Sequence, residues 1–299
     1  MPSHTTLSCY YYILEKIRND QPSKKELISY LKDKDFKESE RTIERYIEHL
    51  RYDFGMVIDY DTKKNQYSLN EEESIGIADL MKYLEMASTA EIITQSLKEA
   101  KDVIQYIEFD DSRHLSGIEN LRLLLDAIKN KNWVRFKHES FEKGMVTDYE
   151  IQPYLLKEYQ KRWYLIGIPK GKTSSRTFGI ERIVNLKTMK ETFKPKEKFN
   201  PKDLFKDIVG LVYSEGEVEK VVLSFGPKQS RYIKSLPIHS SQEVIFETNE
   251  ETRIALYVKI NYEFIQQILL LGKTVKVIEP EHLVKEIIDN LKGALDQYS

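Results

Sequence analysis

One cysteine, Cys9, is all that this chain of 299 residues contains, so no intramolecular disulfide can brace it. Such usage suits a reducing cytosol. Long apolar runs are missing too: no segment approaches the roughly 20 consecutive apolar residues that a membrane span needs. The opening stretch "MPSHTTLSCYYYILEKIRND" turns charged too soon after its apolar patch for a signal peptide. The expectation is a cytoplasmic protein without membrane association. Signatures of catalysis and metal binding are equally scarce. His4, His49, His114, His138, His239 and His282 are scattered, with no i, i+4 pair backed by a carboxylate. No Gly-x-Ser-x-Gly elbow occurs, and Cys9 falls in an apolar helix where packing is its expected role. Gly171-Lys172-Thr173 ends like a phosphate-binding loop, but that loop needs a glycine where Ile166 stands and a helix where "SSRTFGI" alternates like a strand. No catalytic residue, metal site or cofactor is expected.

What the chain does have is charge in a particular place. The net charge is only −2, and residues 1–70 balance 12 Lys and Arg against 12 Asp and Glu. Residues 131–199 hold 16 Lys and Arg against 8 Asp and Glu. The middle of the chain therefore carries a positive field, suited to an anionic ligand or a phosphate backbone. A solvated lysine-rich surface is the plainer alternative.

Periodicity divides the chain into four parts. In residues 1–70, apolar positions at helical spacing mark three short helices. The second opens with a capping box, Ser23 and Glu26; the third is capped by Ser39, buries Ile43, Ile47 and Leu50, and is closed by Gly55 as a C′ residue. The period then switches to two, and Lys63-Lys64-Asn65 makes the turn of a hairpin. Three helices and a hairpin are the order of a winged helix-turn-helix, although any small helical domain shares much of it. Residues 71–130 read as helices broken near Ser74, Ser88 or Thr89, and Gly117, a linker and dimerisation region or ordinary packing. Residues 131–199 read as five short strands, which suggests a small β-barrel. Residues 200–299 read as strand-helix-strand-strand-helix-strand with a closing helix, the order of a ferredoxin-like domain. The fold class is α+β, multidomain.

Two groups of residues stand out as candidate sites. Arg41, Thr42 and Arg45 lie at the start of the third helix, opposite its apolar stripe, where a recognition helix enters the major groove. Arginine can grip guanine bidentately there, Ser39 and Thr42 can bond phosphate, and Lys63 and Lys64 can meet the neighbouring backbone. Glu40, Glu44 and Glu48 work against nonspecific binding. In the barrel, Arg176 and Arg182 converge if their strands form a tight hairpin, beside Tyr154 and His138, a set suited to phosphate oxygens and a stacked base. Surface ion pairs with Glu158 or Glu181 are the alternative.

These residues resemble a known family. "RWYLIGI" is similar to the Trp-Tyr-Leu signature of the WYL domain, in Trp163, Tyr164 and Leu165, with Pro153-Tyr154 upstream and Arg176-Thr177-Phe178 and Arg182-Ile183 downstream. "SERTIERYIEHLRYDFGMVIDYDTKKNQYSL" resembles the winged helix of the same regulators, and "FGPKQSRYIKSLPIHSSQEV" with "LLLGKTVKVIEPEHL" their C-terminal extension domain. The chain departs from the family at Tyr46, where Asp is usual, at Gly179 and Glu181 in a more basic stretch, and at His138, where tyrosine is frequent. The resemblance implies a bacterial transcriptional regulator, often homodimeric, whose WYL domain is a small SH3/Sm-like barrel sensing a nucleotide or nucleic-acid effector. It makes Trp163, Tyr164 and Leu165 mostly barrel core. Double-stranded operator DNA is then the expected partner, and repression the expected mode. The alternative is a single-stranded nucleic-acid binder that uses the basic barrel as its main site; a small-molecule enzyme finds no support in the residues.

Overall fold

A computed structural model describes residues 6–99, 117–140, 144–196, 199–213 and 216–298. The chain divides into two units, residues 1–110 and 111–299. In the first, helix starts are built by side chains that close on free backbone donors. Ser23 Oγ accepts from the Glu26 amide while Glu26 Oε2 accepts from the Ser23 amide at 2.7 Å, so a reciprocal box opens α2 (Lys24–Asp33). These backbone bonds hold the Glu26 carboxyl below the usual carboxylate range. Ser39 caps α3 (Glu40–Tyr52) with a single bond, accepting from the Thr42 amide. Ile43, Ile47 and Leu50 of α3 bury against Ile13, Leu14 and Ile17 of α1 (Thr6–Asp20) and Leu27 and Leu31 of α2.

Strands β1 (Val57–Asp61) and β2 (Gln66–Asn70) form an antiparallel hairpin after α3. At its tip, Asp61 Oδ1 accepts from the amides of Lys63 and Lys64, and Asn65 takes the left-handed conformation at φ 55°. Two expectations need correcting here. The C-cap of α3 is Asp53, so left-handed Gly55 (φ 68°) sits one position beyond C′, where its carbonyl accepts from the Ile75 amide. Ser88 and Thr89 break nothing: α4 (Ile77–Glu99) runs through both, because Thr89 Oγ1 donates to the Glu85 carbonyl one turn back and Ser88 is buried. After Glu99 the stretch expected to be helical passes outside the described residues until Gly117.

The second unit opens with α5 (Glu119–Asn130) and five antiparallel strands: β3 (Asn132–Glu139), β4 (Val146–Tyr159), β5 (Arg162–Pro169), β6 (Arg176–Gly179) and β7 (Ile183–Thr192). Their order in the sheet is β6-β5-β4-β3-β7. Helix α5 is no spacer. Its Leu124 and Ala127 share one core with Val134, Phe136, Ile151, Leu165 and Phe178, whereas α4 contributes Leu84 to the core of the first unit. The 71–130 stretch thus serves two different cores.

The tight hairpin expected between Arg176 and Arg182 does not form. Strands β6 and β7 lie at opposite edges of the sheet, joined by the short 3-10 turn Ile180–Arg182. Three residues reach only about 10 Å, so the sheet must curl until its two edges approach each other.

The last part of the unit runs β8 (Glu219–Phe225), α6 (Pro227–Ser235), β9 (Glu243–Glu247), β10 (Thr252–Val258), α7 (Tyr262–Leu271), β11 (Val275–Glu279) and α8 (Glu281–Leu295), with sheet order β11-β8-β10-β9. Asn261 caps α7 through its Oδ1, and its Nδ2 donates to the carbonyls of Val209 and Val212. Glu263 accepts from the amides of Leu211 and Val212. Between them these two side chains fasten the segment that leads into the sheet.

Candidate functional site

Helix α3 turns one face to the core and the other to water. Arg41 and Arg45, one turn apart, lie on the water face, and among the described residues no carboxylate stands within ion-pair distance of either. The Arg45 guanidinium lies over the Tyr46 ring, 5.9 Å from its centre. The acidic residues of the helix are engaged elsewhere. Lys24 holds Glu44 at 2.5 Å and Glu40 at 3.5 Å, and Arg51 holds Glu48 at 3.3 Å while donating to the Ile58 carbonyl. The charges that would repel a phosphate backbone are thus partly neutralised within the fold, which leaves two uncompensated guanidiniums pointing outward. Between α3 and the hairpin a cleft of about 580 Å³ opens, lined by Arg45, Arg51, Lys24, Glu44, Tyr60 and Tyr67.

The other residues expected on this face have mixed positions. The Ser39 hydroxyl is committed to the cap and lies 3.0 Å from the Thr42 hydroxyl, so both serve the helix start before any ligand. Lys63 and Lys64 have exposed side chains on a tip braced by Asp61, whose carboxyl the Lys64 and Lys63 amides hold below the usual range.

On the curled sheet, three of the four expected residues come together. His138, on β3, is only 8 % exposed. Its ring meets those of Phe178, Tyr149 and Phe136 at 5.3, 6.3 and 6.4 Å. It bonds the Gly179 backbone, and burial, followed by the Arg182 charge, pushes its pKa below the usual histidine value. Arg176 donates to the Tyr149 hydroxyl at 3.3 Å and lies over the same ring. Arg182 donates to the Glu139 carbonyl and stands 3.5 Å from Glu181, which Arg162 also approaches at 3.9 Å. The ion pair weighed for Arg182 is therefore present through Glu181, while Glu158 instead accepts from the Lys161 amide.

Tyr154 does not join them. Its ring packs on Phe199 and Phe193 at 4.9 and 5.3 Å, and its hydroxyl meets Gln152 and the Lys196 amide. A bulge between Pro153 and Leu155 interrupts the pairing of β4 with β5 and shifts the alternation of side chains at that point.

Tyr149, Arg162 and Tyr164 were missed by sequence reasoning as site residues. Tyr149 lies opposite Phe136 in the strand pairing and is the aromatic that Arg176 covers. Within the Trp-Tyr-Leu triplet, Leu165 is fully buried and Trp163 packs partly against the same core. Tyr164 points instead to charge: burial first, then the Glu181 carboxylate, push its phenol up, opposed by Arg162 and Arg182. The cluster thus brings together guanidiniums, ring faces and edges, and a carboxylate. Among the described residues no His, Cys, Asp and Glu gather as a metal site, and no helix is long and apolar enough to cross a membrane.

Comparison with known proteins adds the following. Residues 119–188 match the WYL domain and residues 217–295 the WCX domain. No curated protein matches the chain. Among solved structures, proteasome accessory factor B/C (PafBC) of Arthrobacter aurescens is similar at 17 % identity and a TM-score of 0.33, over 97 % of this chain and 46 % of that one. A CRISPR Cas-related protein is similar at 12 % identity and a TM-score of 0.40, over 98 % of this chain and 84 % of that one.

Proposed function

In a chain that carries a WYL domain followed by a WCX domain, we propose a cytoplasmic transcriptional regulator that binds double-stranded DNA as a homodimer and represses. Residues 1–70 act as a winged helix-turn-helix, with α3 as recognition helix and the β1–β2 hairpin as wing. The curled five-stranded sheet acts as an SH3/Sm-like barrel that senses a nucleotide or nucleic-acid effector, and residues 200–299 as a ferredoxin-like extension. Arg41, Thr42 and Arg45 read the major groove, while Ser39, Lys63 and Lys64 hold the backbone. His138, Arg176 and Arg182 form the effector site, with Tyr149 taking the aromatic role first given to Tyr154. Effector binding shifts the dimer between DNA-competent and incompetent arrangements; coupling of about 1–3 kcal/mol changes operator affinity ~5–150-fold.

The observation that carries this reading is the pair Arg41 and Arg45, on the solvent face of a capped helix with no carboxylate partner among the described residues. The test is selection of randomised duplex DNA on the purified protein at about 150 mM salt, where nonspecific phosphate contacts weaken. An inverted repeat with half-sites about one helical turn apart is the expected result; no enrichment overturns it.

A second reading, single-strand binding by the sheet, is favoured by Arg176 lying over Tyr149. Tight single-strand binding without duplex enrichment is the result that selects it.

A further inference from the structure

The acceptors buried beneath the sheet's arginines have no donors of their own. His138 Nε2, Glu181 Oε1 and Glu181 Oε2 are closed to solvent, and none has a hydrogen-bond partner among the described residues. His138 already bonds the Gly179 backbone. Because Nε2 is the nitrogen without a partner, Nδ1 is the one that serves Gly179. A ring that gives its N–H to a carbonyl through Nδ1 keeps Nε2 as a bare acceptor. The carboxylate lies close over the Gly179 backbone: a Cβ on Gly179 would fall 2.6 Å from Glu181 Oε1. Its contacts with Arg182 and Arg162, at 3.5 and 3.9 Å, are ion-pair distances that leave its lone pairs open.

A phosphate oxygen can satisfy guanidiniums but not a neutral imidazole nitrogen, since both would be acceptors. The group that completes these atoms must donate, and the rings of Tyr149 and Phe178 around His138 favour a planar one. We infer that the cluster around His138 selects nucleotides whose base carries an exocyclic amine, with His138 Nε2 and the Glu181 carboxylate accepting from that amine while Arg176 and Arg182 hold the phosphate. This rests on the reading of the sheet as a nucleic-acid effector site. Cytosine presents two N–H donors on its amine. Thymine sets a single N–H between two carbonyls, which would face the same acceptors. The three atoms are shielded, so the base edge reaches them as a neighbouring side chain moves aside. A base without the amine then leaves them unpaired, which is the basis of rejection.

The test uses the full chain and labelled oligo(dC) and oligo(dT) of about ten nucleotides, followed by fluorescence anisotropy. Oligo(dC) should bind roughly tenfold tighter or more. His138→Phe should bring the ratio near one, and His138→Gln, which keeps an acceptor, should restore part of it. An oligomer of N4,N4-dimethylcytosine, which needs no protein variant, should bind the wild type like oligo(dT). Undiminished binding of the dimethylated strand, or an unchanged ratio in a folded His138→Phe, overturns the inference. Arg176→Ala separates the two levels. If it weakens both strands alike while the wild type shows no preference, the amine selection alone fails. If it leaves both strands unaffected, the sheet is not the effector site.

Discussion

The arginines of α3 and those of the curled sheet are the same side chain in opposite settings. Arg41 and Arg45 stand in water on a helix whose acidic residues are held by Lys24 and Arg51. Arg182 is tucked against Glu181 and a backbone carbonyl, and Arg176 lies over a tyrosine ring. Removing a solvated arginine takes away only what it would do to a ligand. Removing one from the sheet also disturbs an arrangement the fold has organised, and it leaves a carboxylate with fewer partners. The α3 face is open and carries uncompensated positive charge; the sheet's cluster has an electrostatic order of its own.

The largest expected effect sharpens this contrast from below. Phe136 is fully buried in the sheet's core, and its ring meets Tyr149, Phe178 and His138. Phe136→Ala should cost about 3–5 kcal/mol of the stability of the second unit, measured by denaturant unfolding. Binding of effector probes should then be lost through the fold rather than through chemistry. On α3 the split is reversed. Arg45→Ala should change unfolding by no more than about 0.5 kcal/mol and cost roughly 1–3 kcal/mol on the selected duplex. Equal losses on selected and random duplex would remove Arg45 from base reading and reduce it to a phosphate contact. Smaller again is Ser39→Ala, which removes the oxygen that receives the Thr42 amide and should lower stability by roughly 1 kcal/mol. If it reduces DNA affinity without moving the unfolding midpoint, Ser39 contacts the ligand directly.

Legibility in the sequence follows the same division. Arg41 and Arg45 could be placed because a helix face is fixed by neighbours three and four positions away, and the caps at Ser23 and Ser39 are equally local. The order of strands and helices from β8 to α8 matches the one read from periodicity. The sheet site depends on register between strands far apart in sequence. Phe136 meets Tyr149, and His138 meets Thr147 on one side and Ile183 on the other; none of these pairings is encoded by spacing alone. Tyr154 is expected beside the converging arginines, but the bulge after Pro153 alters the parity of β4. The signal that could have found Tyr149 was its alternation with Ile151, which is fully buried. The division of the 71–130 stretch between two cores likewise depends on long-range packing, since α4 and α5 look alike as apolar helical segments.

The smallest prediction is also the most direct probe of the sheet's electrostatics. His138 is buried with Phe136, Tyr149 and Phe178 around it and the Arg182 and Arg176 charges nearby, opposed by its Gly179 backbone bond and by Glu181. Burial and then Arg182 lower its folded pKa, so the native state resists a proton that the unfolded chain accepts near pH 6.5. The unfolded state therefore binds more protons between the folded and unfolded pKa values, and stability rises with pH through that window. Above about pH 6.5 the full contribution is present; it is lost progressively as pH falls towards the folded value. The quantity to measure is the difference in unfolding free energy between wild type and His138→Gln across pH 5 to 8. The wild type should lose stability relative to the variant on acidification. A difference that is flat with pH would mean the histidine is solvated in the native state. The sheet would then lose the enclosed character that sets it apart from the open face of α3.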